Sequence, residues 1–359
     1  MRLETLRIDG LRCLTDVGIE LDPGINVFVG PNGAGKTSVL EAVFLLSHAR
    51  SFRTGAKDAL TQRGAAQLSV FAEFRLDGEN SRRLGLGRSS GRWDARVDGV
   101  SVGLAQLVQE CAVVCFEPGS HALIAGGAEE RRRYLDWGVF HVEHDFLSLW
   151  RRYQRALKQR NSLLRSASLG ADALFEPWEQ EMSQTAHQID NLRNDYLRSL
   201  RPSLETSALG LLPELGVLEL RYRRGWPDES SLAEQLAQQR GRDFARGHTT
   251  IGAHRADWSL SFEHAPLREH LSRGQEKLTA LACVLSQAEL YAVNSGHWPM
   301  VCLDDLASEL DLAHQEALVA QLTQANAQLL LTGTELPAAL QGLSARVFHV
   351  EQGLMSRLL

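Results

Sequence analysis

The stretch Gly30-Pro31-Asn32-Gly33-Ala34-Gly35-Lys36-Thr37 constrains this chain more than any other. It fits G-x-x-x-x-G-K-[ST], the phosphate-binding loop. Glycines let consecutive backbone N–H groups turn toward one anion, the lysine reaches the β- and γ-phosphates, and the last hydroxyl ligates Mg²⁺. The flanks agree with this. Ile25 to Val29 reads as a short buried strand, and Ser38 to Leu46 as the helix whose N-terminal dipole faces the phosphates. Gly30, Pro31, Asn32, Gly33, Ala34, Gly35, Lys36, Thr37 and Ser38 are therefore the expected nucleotide contacts, with ATP and Mg²⁺ the expected cofactors.

Such a loop alone leaves the class open, because kinases, GTPases and many ATPases share it. Val301-Cys302-Leu303-Asp304-Asp305 narrows the choice, being an apolar strand that ends in two acids. Asp304 is suited to hold Mg²⁺ through its water shell, and Asp305 to orient or deprotonate an attacking water. Lys36, Asp304 and Asp305 are the expected catalytic groups, and Thr37 and Asp304 the expected metal ligands. Thr37 and Asp304 stand 267 residues apart, so an insertion divides the ATP-binding fold.

The hydrophobic pattern locates that insertion. Up to about residue 115 it alternates as in strands, with Asp98-Gly99 as a two-residue hairpin turn. From about 129 to 245 it turns helical: Phe146, Leu149, Trp150, Tyr153 and Leu157 share one face, and Trp178, Met182, Ile189, Leu192, Tyr196 and Leu200 another. A loop is expected between them near Ser166–Asp172. Strand and helix alternate again from about 250. The expected architecture is α/β, a P-loop ATPase head with an antiparallel β layer over 1–117 and 246–359, carrying a mostly α-helical arm over 118–245.

Composition excludes some classes. No run of about 18 uncharged apolar residues occurs, so no membrane span or membrane partner is expected. Five cysteines without a C-x-x-C pair suit a reduced cytoplasmic chain with buried thiols. A net charge of −6 means that any nucleic-acid site is a local patch. Residues 131–165 hold nine basic against three acidic residues. Arg131, Arg132, Arg133, Arg151, Arg152, Arg155 and Lys158 are the candidate DNA contacts. A solvated helix face, or ion pairing of Arg131–Arg133, fits the same charges, and both readings stay open at this point.

Leu271-Ser272-Arg273-Gly274-Gln275 resembles the L-S-G-G-Q signature of ABC-type ATPases. In that arrangement Ser272, Arg273, Gly274 and Gln275 meet the γ-phosphate held by a second head, which makes Ser272 an expected catalytic group in trans. An ordinary capping turn, Ser272 with Gln275, is the alternative. Ser308-Glu309-Leu310-Asp311 follows the acids as the D-loop does, and Thr332-Gly333-Thr334 stands where transporters carry a switch histidine. Arg12 and Glu117 are further candidates near the nucleotide.

Over nearly its whole length the chain resembles the RecF family. Pro118 to Asp136 matches the family's P-[DE]-x₃-apolar₂-x-G-x-P-x₂-R-R-x-[FY]-x-D element, departing at Gly119 and Ala128. Gly252-Ala253-His254-Arg255-Ala256-Asp257 matches G-P-H-R-D-D, departing at Ala253 and Ala256. Ser51-Phe52-Arg53-Thr54 and Leu303 to Asp311 also look like the family's versions. The resemblance implies ATP-dependent head-to-head homodimers that bind gapped, duplex and single-stranded DNA. It further implies slow hydrolysis and work with RecO and RecR in loading RecA. Two other readings are an SMC-like repair ATPase whose arm grips a protein, and a transporter-associated ABC ATPase.

Overall fold

The computed structural model describes residues 1–53, 60–76, 80–166, 172–228 and 230–358. They form two compact units, the first made of Met1–Ser120 and Ala280–Leu359 and the second of His121–Thr279.

The first unit holds two six-stranded sheets. One is antiparallel, ordered β2 (Val17–Glu20), β1 (Arg2–Asp9), β4 (Gln67–Arg75), β5 (Ser81–Ser89), β6 (Arg92–Val97), β7 (Val100–Val102). Its strands alternate buried and exposed residues, as expected of a sheet with one face on a core. The Asp98-Gly99 turn joins β6 to β7 with both residues at positive φ, as the sequence leads one to expect. The other sheet is ordered β14 (Leu354–Arg357), β13 (Ala345–Glu351), β3 (Ile25–Val29), β12 (Leu329–Gly333), β11 (Met300–Leu303), β8 (Val113–Phe116). All its pairs are parallel except β13 with β14. Strands β3, β11 and β12 are wholly buried, which explains their mostly apolar sequences, with Asn26 the polar exception in β3 and Thr332 in β12.

Helix α1 (Lys36–His48) packs on β8 and β12 of one sheet and on β4 and β5 of the other. From Ser38 to Ser47 every residue is buried, Glu41 among them, because the helix is covered on both sides. The short α2 (Leu104–Gln109), α10 (Leu306–Glu309) and α11 (Leu312–Gln324) also belong to this unit.

The second unit carries α3 (Ala122–Ala125), α4 (Ala128–Val142), α5 (Phe146–Ser166), α6 (Asp172–Leu211), α7 (Leu232–Gln238) and α8 (Arg240–Arg246). At 40 residues, α6 runs about 60 Å and packs along α5. The stripes largely pack: Phe146, Leu149, Tyr153 and Leu157 are buried, as are Met182, Ile189, Tyr196 and Leu200, while Trp150, Trp178 and Leu192 are half-buried. The loop expected near Ser166–Asp172 falls mostly on 167–171, outside the described residues. Strands β9 (Leu218–Arg223) and β10 (Asp257–Phe262) pair antiparallel. That pairing draws residues 246–279 into the second unit, whereas the sequence pattern placed the return to the head at 246. Helix α9 (Arg273–Ser295) begins in the second unit and ends in the first. No described helix is long and apolar enough to cross a membrane.

The two sequence elements Pro118–Asp136 and Gly252–Asp257 interlock within the second unit. Arg131 donates to both oxygens of Asp257 at 2.7 and 3.1 Å, and Arg132 donates to Ala256 O at 2.8 Å. Arg193 bridges Asp136 at 2.9 and 3.0 Å to Ala253 O at 2.8 Å. Tyr153 OH meets His254 Nδ1 at 2.7 Å. Nearby, Arg160 is fully buried on Glu179 and Asp243, at 3.1 and 2.7 Å.

Candidate nucleotide site

Strand β3 ends at Val29 and α1 begins at Lys36, so the loop between them is held at the carboxyl edge of a parallel sheet. Ligands of open α/β sheets sit at that edge. Gly30 has φ 151, and a Cβ there would stand 2.1 Å from Val350 O on β13. Across the loop, Gly353 N–H donates to Ala34 O at 2.9 Å. Gly353 itself has φ 80 and passes so close that a Cβ would lie 2.1 Å from Cys13 O. The β13–β14 hairpin and the Cys13-Leu14 turn thus brace the loop from outside. On the inner side a Cβ at Gly33 would meet nothing within 4 Å, which leaves room for a phosphate.

Lys36 Nζ donates to Gly30 O at 2.7 Å and Pro31 O at 2.9 Å, folding the ammonium over the loop. Burial lowers its pKa, opposed by Asp305 and Asp304.

The second half of the site arrives on β11. Thr37 Oγ1 donates to Asp304 Oδ1 at 2.8 Å, closing the gap of 267 residues. Strand β12 lies between β3 and β11, and its Thr332 Oγ1 donates to the same Asp304 oxygen at 2.6 Å. Thr332 Oγ1 also accepts the Asp305 N–H at 2.9 Å. Burial raises the Asp304 pKa, opposed by the Thr332 and Thr37 hydroxyls. Asp305 is in the left-handed region, φ 53 and ψ 44, and caps α10. No cluster of three or more His, Cys, Asp or Glu side chains fit for a metal exists among the described residues. Thr37 and Asp304 supply two hard oxygens, which suits Mg²⁺, an ion that keeps waters and phosphate oxygens rather than an all-protein cage.

Sequence reasoning missed Glu41. It lies one turn beyond Thr37 on α1 and is fully buried, and Arg12 grips it with Nε at 3.0 Å and Nη2 at 2.7 Å. The Ser51 hydroxyl also bonds Glu41, and Arg53 Nη1 stands 3.9 Å away. An acid inside an apolar helix must find cations, and that was the available signal. Thr54 of the Ser51–Thr54 match lies outside the described residues. Cys111, Cys283 and Cys302 are buried and Cys115 half-buried, but Cys13 is exposed against the loop, correcting the expectation of buried thiols.

Ser272, Arg273 and Gly274 are exposed at the start of α9. The capping turn is present: Gln275 N–H donates to Ser272 Oγ at 3.3 Å and Ser272 N–H to Gln275 Oε1 at 3.0 Å. Gln275 Nε2 is anchored on Glu214 at 3.1 Å.

The candidate DNA contacts divide. Arg131 and Arg132 spend donors inside the second unit on Asp257 and Ala256, which fits the paired reading that the sequence left open beside an exposed cationic face. Arg160, counted in the basic excess, is buried. Arg133 pairs with Glu129 and Glu130, and Arg152 with Glu181, on the surface. Arg151, Arg155 and Lys158 are exposed on one face of α5 and make no ion pair among the described residues.

The family model described as RecF/RecN/SMC N terminal domain matches residues 2–353. The DNA replication and repair protein RecF of Stenotrophomonas maltophilia is 46% identical over 359 residues, covering 98% of each chain. That of Xanthomonas axonopodis pv. citri is 46% identical over 365 residues, covering 99% of each. A solved structure of the recombination mediator protein RecF-ATP in the RecFOR pathway superimposes with a TM-score of 0.90 at 25% identity. It covers 100% of this chain and 98% of that one. With its split phosphate site and this agreement along its length, the chain belongs to the RecF family within the RecF/RecN/SMC N-terminal-domain class.

Proposed function

We propose that this chain is an ATP-dependent DNA-binding protein of recombinational gap repair and a slow, DNA-dependent ATPase. One observation carries the nucleotide part: the Thr37–Asp304–Thr332 junction, which brings a phosphate loop and a paired-acid strand end together across 267 residues. The RecF names of the relatives, one of them a RecF-ATP structure, support the repair part.

Gly30 to Ser38 would wrap the phosphates with backbone N–H groups, and Lys36 would leave its two carbonyls for the β- and γ-phosphates. Thr37 and Asp304 would hold Mg²⁺, whose contribution is to neutralise charge building on the phosphates. Asp305 would orient the attacking water, its shorter reach than glutamate fitting slow turnover. Ser272 to Gln275 of a second copy would close over the γ-phosphate, so that ATP joins two heads and hydrolysis parts them. Arg151, Arg155 and Lys158 would contact DNA phosphates without sequence preference. RecR and RecO are the proposed partners, with RecA loading downstream.

The test is anisotropy of gapped DNA with the full chain, with and without Mg-ATP. Binding that strengthens with ATP, and is lost in Lys36→Met, supports the proposal. Binding indifferent to ATP refutes it.

A further inference from the structure

The stretch Thr332-Gly333-Thr334 brings two hydroxyls to the end of β12, and they go to different places. Thr334 is exposed, whereas Thr332 is 1% exposed. Strands β11 and β12 run parallel with Leu303 opposite Leu331. One step further along both strands, Thr332 therefore stands level with Asp304, on the acids rather than in open solvent.

What each partner can do fixes the direction of the bonds. The Asp305 N–H, at 2.9 Å, can only donate, so Thr332 Oγ1 accepts there. The single hydroxyl proton goes to Asp304 Oδ1 at 2.6 Å, a length typical of a bond to a carboxylate. One hydroxyl thus holds the side chain of one acid and the backbone of the next. Thr185, Thr279 and Ser286 instead spend their protons on a carbonyl four residues back in their own helices.

The two acids need different settings. Asp304 N–H donates to Phe116 O of β8 at 2.9 Å, which keeps Asp304 in line with its sheet. Asp305 turns away into the left-handed region at φ 53, a conformation that costs a non-glycine residue and has to be held from outside. Its N–H is held by Thr332 and its carbonyl by the Ser308 N–H at 2.9 Å. Asp304 Oδ1 also receives the Thr37 hydroxyl, but Thr37 would itself be a metal ligand. Thr332 is the support that stands behind the metal ligands without being one of them. Partners of that kind orient the ligands, and losing one costs about 10–100-fold in metal affinity or activity. We infer that Thr332 is a positioning residue whose one hydroxyl aims Asp304 at Mg²⁺ and sets the backbone that carries the Asp305 carboxylate. This rests on the nucleotide function proposed above.

The test compares Thr332→Val, which keeps the shape and removes the hydroxyl, with Thr332→Ser, which keeps the hydroxyl. Each full-length variant is titrated with a fluorescent ATP analogue in EDTA and at graded Mg²⁺, beside a urea midpoint. Thr332→Val should match wild type in EDTA and need about 10–100-fold more Mg²⁺ to reach the metal-loaded signal. At saturating Mg²⁺ its kcat should fall while KM for ATP stays close to that of wild type. Thr332→Ser should lie near wild type in both readings. Thr332→Ala runs beside them and carries the same comparison should the valine variant not fold. A Mg²⁺ requirement unchanged by loss of the hydroxyl overturns the role. So does a Thr332→Ser defect as large as that of Thr332→Val, which would place the effect in the packing of the methyl group. Wild type whose nucleotide binding ignores Mg²⁺ would overturn the nucleotide reading itself, and the role of Thr332 with it.

Discussion

Replacing Gly353 by alanine tests whether the phosphate loop is held in shape from outside. Gly353 lies outside the phosphate loop itself, yet its N–H supports Ala34 O at 2.9 Å and a Cβ on it would meet Cys13 O. An L-residue at φ 80 costs about 1–2 kcal/mol. The new carbon, 2.1 Å from a backbone oxygen, has no flexible group to displace, so the hairpin must back away. Backing away stretches the bond to Ala34, worth about 0.5–1.5 kcal/mol. Together the loss is about 1.5–3.5 kcal/mol, a large share of the roughly 5–15 kcal/mol that holds a domain together. Urea unfolding of Gly353→Ala, beside Gly99→Ala, measures it. Gly99 has φ 82 with nothing within 4 Å, so it bears the conformational cost without the collision. The expected order is a clearly larger loss at 353, with a fall in ATP affinity by fluorescence titration at 353 alone. Equal losses at both positions, with ATP affinity unchanged, would refute the bracing argument.

Further outcomes can be checked independently. Size-exclusion chromatography with ATP and Mg²⁺ should show dimers for wild type and none for Ser272→Arg; dimers in both would remove the signature from the closure. His254 is satisfied as a neutral ring by Tyr153 and Thr249, and burial lowers its pKa to about 4. Since the unfolded ring titrates near 6.5, the unfolded state binds more protons between those values, and stability falls as pH drops from about 6.5 to 4, by up to about 3 kcal/mol. His254→Gln should flatten that slope in urea midpoints, and a parallel slope would show that other groups cause it. Arg160→Ala takes the cation from buried Asp243, while Arg240 still holds Glu179, and should cost about 3–5 kcal/mol in denaturant unfolding; a loss below about 1 kcal/mol would contradict this. The triple alanine variant of Arg151, Arg155 and Lys158 should flatten the salt dependence of duplex binding by about 0.9 for each lost phosphate contact, and an unchanged slope would move the DNA elsewhere.

What the sequence made legible was what local pattern encodes. The loop residues 30–37 need only their own spacing, and β3, β11 and β12 announce themselves as buried apolar runs. The α5 stripe likewise follows a helical repeat. Partnerships across the chain were not legible, because distance in sequence carries no sign of who meets whom. Arg160 and Arg155 look alike in a basic helix; one is locked on Glu179 and Asp243, and the other faces water. For Arg131 and Arg132 the sequence left pairing and exposure both open, and their partners Asp257 and Ala256 come from 126 and 124 residues away. Where the second unit ends was not legible for the same reason, since β10 is paired with β9 from 34 to 44 residues earlier.

The parallel sheet also sets a timetable for synthesis. Strand β3 has β12 on one side and β13 on the other, and both come from the last 31 residues. Residues 121–279 form a continuous segment and can fold as they leave the ribosome, but the phosphate loop cannot be finished until β12 and β13 have been made. At roughly 5–20 residues per second, the first 120 residues wait about 10–50 s for their neighbours. During that time the unpaired backbone edges of β3 and its bare apolar side chains are what a chaperone would be needed to cover.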